Sequence, residues 1–124
     1  MRLVLKDFPL PSHPRARSAH EAARCAGALG RYWPYHDRLL ANQSHFERDD
    51  LLDFAEDVGL ERAPFARCVD ERRFAAAVAT DVSQARAIGV RSTPSFLVNG
   101  RPLAGNLSVE EFRRIIDEAL KDAR

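Results

Sequence analysis

Two cysteines, four histidines and a single Thr-Pro step are the residues of this chain whose types could do chemistry. A thiolate attacks disulfides or binds soft metals when its pKa is lowered, as at a helix amino terminus or beside a nearby second thiol. Cys25 and Cys68 lie far apart, which excludes a CxxC pair and a local zinc-ligand cluster and leaves room for one disulfide at most. Cys25 falls well inside a helical stretch and Cys68 near the end of another, so neither gains a positive helix end. His36 stands beside Asp37, a pairing that could relay a proton, yet adjacent helical residues point apart, and packing or capping is the plainer role. His13 and His20 are two turns apart on a polar face and His45 stands in a loop; this is not the i,i+4 spacing of a helical metal site, so no metal is expected. Arg72-Arg73 and Arg113-Arg114 read as solvated helix faces, and without an aromatic platform beside them no nucleic-acid partner is expected.

The elements that must position these residues follow from periodicity. Leu3, Val4 and Leu5 within Arg2–Lys6 predict a strand, ended by the breaker string Phe8-Pro9-Leu10-Pro11-Ser12-His13-Pro14. Pro14 suits a first helical turn, and Ala16, Ala19, Ala22, Ala23, Ala26 and Leu29 form one stripe of a helix over 15–29 whose small side chains permit close approach. Further helices are predicted over 34–42, 48–58, 63–69 and about 71–88, with Tyr32 and Trp33 leading into the first of these. The period then changes: Ser95–Val98, Asn99-Gly100 and Arg101–Ala104 predict a hairpin closed by a two-residue type I′ turn. Ser108 and Glu111 supply a capping box for a final amphipathic helix carrying Val109, Phe112, Ile115, Ile116 and Leu120.

With 124 residues, 45% of them hydrophobic and 30% charged, the chain has ordinary globular composition, which excludes disordered, collagen-like and disulfide-stapled miniprotein readings. A net charge of +1 provides no field toward nucleic acid or an anionic membrane. No segment approaches the roughly 20 apolar residues of a membrane span, so no membrane insertion is expected, and Met1–Lys6 lacks the pattern of an export signal. The expected architecture is therefore α/β, ordered strand, helices, β-hairpin, helix, as a single domain over 1–124 with a helical insertion at about 14–88. No cofactor is expected.

Lys6-Asp7-Phe8-Pro9-Leu10-Pro11 with His13-Pro14, Ala22-Ala23-Arg24-Cys25-Ala26, Tyr32-Trp33 with His36-Asp37, and Ala41-Asn42-Gln43 form one set of motifs. Gly89-Val90-Arg91-Ser92-Thr93-Pro94-Ser95-Phe96-Leu97-Val98-Asn99-Gly100 is the most specific. Together with the closing helix they resemble the DsbA-like thioredoxin-fold disulfide oxidoreductases along essentially the whole chain. The resemblance implies a cis bond at Thr93-Pro94, with Thr93 pairing its main chain to an extended or unfolded polypeptide substrate and Pro94 setting the shape of the site. It also implies that the family's first strand and CxxC motif precede Arg2–Lys6, so that this chain is an incomplete thioredoxin-like fold, redox-inactive alone.

For Cys25 and Cys68 two roles stay open: a pair of buried free thiols, or a structural disulfide like the second, non-catalytic pair of some family members. Loss of the central strand would leave two unpaired edges, which either close up on each other or recruit a second copy as a homo-oligomer. The function implied is that of a member or fragment of a thiol–disulfide oxidoreductase. The alternative is a non-enzymatic module that holds peptides on the strand edge at Thr93 and Pro94. Family members usually work outside the cytoplasm.

Overall fold

The computed structural model describes residues 1–123. Among them the order is α1 (Ala16–Ala28), α2 (Tyr32–Ala41), α3 (Arg48–Asp57), α4 (Arg62–Asp70), α5 (Ala75–Ala87), β1 (Ser95–Val98), β2 (Arg101–Ala104) and α6 (Val109–Asp122). Helices with a small antiparallel sheet fit the expected α/β class. The chain divides into two compact units, Met1–Gln84 and Ala85–Arg124.

The first unit is built on the small-residue stripe of α1. Ala19, Ala22, Ala23 and Ala26 are buried, and with no side chain beyond Cβ to hold helices apart, α2 and α4 pack directly against them. Tyr35 of α2 and Phe65 of α4 fill the centre, their rings 5.3 Å apart. The buried Tyr35 hydroxyl donates to the Leu51 carbonyl of α3 at 2.9 Å, which satisfies the one polar atom that burial would otherwise penalise. Leu51, Leu52, Phe54 and Ala55 complete the core from α3.

In the second unit the Asn99-Gly100 turn forms as the dipeptide requires, with φ of 48° and 84°, and pairs Val98 with Arg101 and Phe96 with Leu103. Phe96 meets Phe112 of α6 edge to face at 4.7 Å, beside the buried Ile115. Ser108 caps α6 by accepting the Glu111 N–H at 3.2 Å.

Several expectations are corrected. Arg2–Lys6 joins no sheet: the described residues hold one two-stranded sheet, β1 with β2, and Leu3 is 70% exposed. A β-prone pentapeptide needs a neighbouring ladder to become a strand, and among the described residues none stands beside it; of the two expected alternatives, the closing of the edges on each other does not occur. The helix expected from about residue 71 begins at Ala75 instead, because Arg72 adopts φ 50° and interrupts the α4–α5 path. Arg72 is thus not on a solvated helix face; its guanidinium reaches back to the buried Glu21 of α1 at 3.0 and 3.2 Å. Tyr32 and Trp33 form the first turn of α2 rather than its approach.

Candidate functional site

The peptide bond between Thr93 and Pro94 is cis, at the entry to β1. Two hydrogen bonds fix the loop: Ser95 Oγ donates to the Ser92 carbonyl at 2.6 Å, and the Pro94 carbonyl accepts the Gly105 N–H at 3.0 Å. Both bonds hold the residues on either side of Thr93. Thr93 itself is exposed, and its main-chain groups take no partner among the described residues. Because β1 pairs only with β2 among the described residues, its second edge also presents N–H and C=O groups that no strand of these residues pairs. The mouth of the hairpin is therefore an edge to which an extended chain could add.

Cys25 of α1 and Cys68 of α4 are joined in a disulfide, with Cα atoms 5.9 Å apart and 43 residues of separation along the chain. The two residues are 1% and 4% exposed, so solvent thiols have no path to either sulfur. No free cysteine exists among the described residues.

A third constellation was missed by the sequence reading. Asp7, 3% exposed, lies where the chain leaves its amino-terminal segment, and Asp81, 6% exposed, faces it from α5. The Asp7 N–H donates to Asp81 Oδ2 at 2.9 Å. Arg24 of α1 bridges the two carboxylates, Nε to Asp7 Oδ2 at 2.5 Å and Nη2 to Asp81 Oδ2 at 2.6 Å. His20, one turn earlier on α1, places Nδ1 2.7 Å from Asp7 Oδ1. The signal was the i,i+4 spacing of His20 and Arg24, which puts both on the polar face of α1; what the sequence did not show was that two acids from distant segments would be buried under that face.

Burial opposes the charged form of Asp7, but hydrogen bonds from His20 and Arg24 and their charges outweigh it and hold the carboxyl below its ordinary range. Burial likewise disfavours charge on Arg24, and the two carboxylates more than compensate, so its pKa is raised. Burial, helped by the Asp7 charge, pushes the neighbouring Tyr32 hydroxyl up to about 12. A depressed carboxyl contributes stability that is fully present above its unfolded pKa, about 4, and lost as pH falls through the folded value. The denaturation midpoint is thus expected to hold steady down to about pH 4 and then fall. In Asp7→Asn that acid-side fall should shrink, also at 1 M salt, which screens exposed pairs such as Arg48–Asp70 but not a buried one.

The remaining sequence candidates lie elsewhere. His36 Nδ1 does reach Asp37 Oδ1, at 3.1 Å, contrary to the expectation that adjacent residues diverge; the contact is on the surface, with Asp37 well exposed. Among the described residues no group of three His, Cys, Asp or Glu is placed to hold a metal ion. No helix among the described residues is long and apolar enough to cross a membrane.

Comparison with known proteins adds relatives. The family model described as Thioredoxin matches residues 1–118. The Na(+)/H(+) antiporter NhaA 1 of Salinispora arenicola (strain CNS-205) is 38% identical over 125 residues, covering 100% of this chain and 19% of the relative. The Na(+)/H(+) antiporter NhaA of Herminiimonas arsenicoxydans is 30% identical over 124 residues, covering 100% of this chain and 20% of the relative. The chain thus spans about a fifth of the length of the curated relatives it matches. No solved structure matches.

Proposed function

Because the chain belongs to the thioredoxin family across residues 1–118, we propose that it is the scaffold and peptide-docking part of a DsbA-like thiol–disulfide exchange domain and carries no reactive thiol of its own. The observation that supports this most directly is that both cysteines are consumed in a buried bond between α1 and α4. Exchange proceeds by attack of a thiolate on an accessible sulfur. With Cys25 and Cys68 withdrawn from solvent, the reactive pair would come from polypeptide other than these residues. What the chain contributes is the edge: an extended segment lies along Thr93 and β1, main chain against main chain, and Pro94 shapes its seat. Residues 1–124 act here as one domain, with the helical insertion at about 14–88.

A titration with a reduced, carboxymethylated unfolded polypeptide tests the edge. Thr93→Arg places a bulky charged side chain at the mouth and is expected to weaken binding roughly tenfold, the equivalent of one main-chain hydrogen bond. Equal affinity for the variant and the unsubstituted chain would remove Thr93 from the site.

A second reading is favoured by the relatives, each named a Na(+)/H(+) antiporter. Here the chain is a non-enzymatic module accompanying such an antiporter, and its edge holds an extended segment of that protein without exchange chemistry. The two readings differ in whether the thiols of a bound client change oxidation state.

A further inference from the structure

Three aromatic side chains meet at the start of α2. Tyr32 and His36 are spaced i,i+4 and Trp33 and His36 i,i+3, so the three rings share one surface of the helix. Tyr32 and His36 run nearly parallel, at 27° with centroids 6.1 Å apart, and Trp33 stands across both, at 87° and 5.1 Å from Tyr32 and at 74° and 5.2 Å from His36. Tyr32 is seated on α1 at Gly27, where a Cβ would stand 3.3 Å from the Tyr32 Cβ. Trp33, by contrast, is 46% exposed and lies outside the core. The nearest cations in sequence are engaged elsewhere: Arg31 turns its guanidinium to the Gly30 carbonyl at 3.3 Å, and Arg38 lies over the Phe54 ring at 5.7 Å. Among the described residues no cation stands over the Trp33 ring. Negative charge is close. Asp37 reaches His36 Nδ1 at 3.1 Å while staying well exposed, and the Tyr32 hydroxyl, raised first by burial, also feels the charges of Asp7 and Asp81, with Arg24 opposing them.

We propose that Trp33, Tyr32 and His36, with the Asp37 carboxylate beside them, form a surface site for an organic cation of the trimethylammonium type. The face of an aromatic ring is electron-rich, that of indole most strongly, and attracts a cation within about 6 Å of its centre. A quaternary ammonium suits this setting because its methyl groups can lie on the rings and it has no N–H that needs an acceptor. Asp37 supplies the opposite charge, and its exposure keeps that contribution modest. No thiol and no sheet edge takes part, so the site stands independently of thiol–disulfide exchange.

Trp33 is the single tryptophan of the chain, and its fluorescence therefore reports this site alone. Choline is titrated at fixed ionic strength beside its neutral isostere, in which carbon replaces the quaternary nitrogen. Choline is expected to bind roughly tenfold tighter, a discrimination that a cation–π contact supplies and burial of methyl groups does not. Trp33→Leu should keep the helical circular dichroism and lower choline affinity about tenfold, read by saturation transfer to the choline methyl protons. Asp37→Asn, at an exposed position, should weaken choline about threefold and leave the isostere unchanged. Equal affinity for choline and the isostere, or choline binding unchanged in either variant, overturns the proposal. Phosphatidylcholine vesicles carry the same cation on a lipid. Co-sedimentation that free choline displaces supports the site with a headgroup as its source, and choline binding without co-sedimentation supports it with a solute as its source.

Discussion

Replacing Cys25 and Cys68 together by alanine is expected to lower the unfolding free energy by about 4 kcal/mol. The disulfide closes a loop over a separation of 43 residues, from the middle of α1 to the end of α4, and a cross-link of that span removes much conformational freedom from the unfolded chain. Its weight is large against the roughly 5–15 kcal/mol that stabilises a typical domain. The loop also encloses α2 and α3, so that Tyr35, Leu51, Leu52 and Phe54 assemble within a segment whose ends are tied. Guanidinium denaturation of the double variant checks this, with the unsubstituted chain denatured under reducing conditions as an independent route to the same loss. A change under about 1 kcal/mol by both routes would mean that helix packing alone sets stability and the bond is incidental.

Arg24→Ala has the second large effect, a loss of about 3 kcal/mol, because it removes the guanidinium that bridges the buried Asp7 and Asp81 and leaves only His20 beside the one and Lys6, 3.7 Å away, beside the other. The sign of the pH response distinguishes this from simple loss of packing. The unsubstituted chain loses stability on acidification, since Asp7 is held charged by its partners. In Arg24→Ala two facing carboxylates repel, so protonating one relieves the strain and mild acid should raise the denaturation midpoint. Arg24→Lys is expected to recover only part of the loss. An ammonium can match one carboxylate but does not reproduce the fork by which Nε meets Asp7 and Nη2 meets Asp81.

Much of this fold was legible locally. The Ala stripe of α1, the helices beginning near Arg48 and Arg62, the Asn99-Gly100 hairpin and the Ser108 cap each carry their cause in a few adjacent residues. Departures came where the outcome depended on distant segments. Arg2–Lys6 has strand-forming residues, but a strand exists only with a hydrogen-bonding neighbour, and none is present among the described residues. Arg72 looked like a helix-face arginine; its backbone instead turns to bring the guanidinium to Glu21, 51 residues away. The Asp7–Arg24–Asp81 cluster joins three elements and has no local signature beyond the spacing of His20 and Arg24. For the candidate site, the motif around Thr93 and Pro94 pointed to the exposed mouth of the hairpin, whereas the fate of the cysteines depended on how α1 meets α4.

The central claim is that this chain provides scaffold and edge but no reactive thiol. Its most direct test is a disulfide-reduction assay with the full 124-residue chain, insulin as substrate and a dithiol reductant. The expected rate equals that of the reductant alone, with or without Thr93→Arg. Acceleration by the unsubstituted chain that disappears in the Cys25→Ala, Cys68→Ala double variant would contradict the account, by showing that the buried pair is itself the working redox centre.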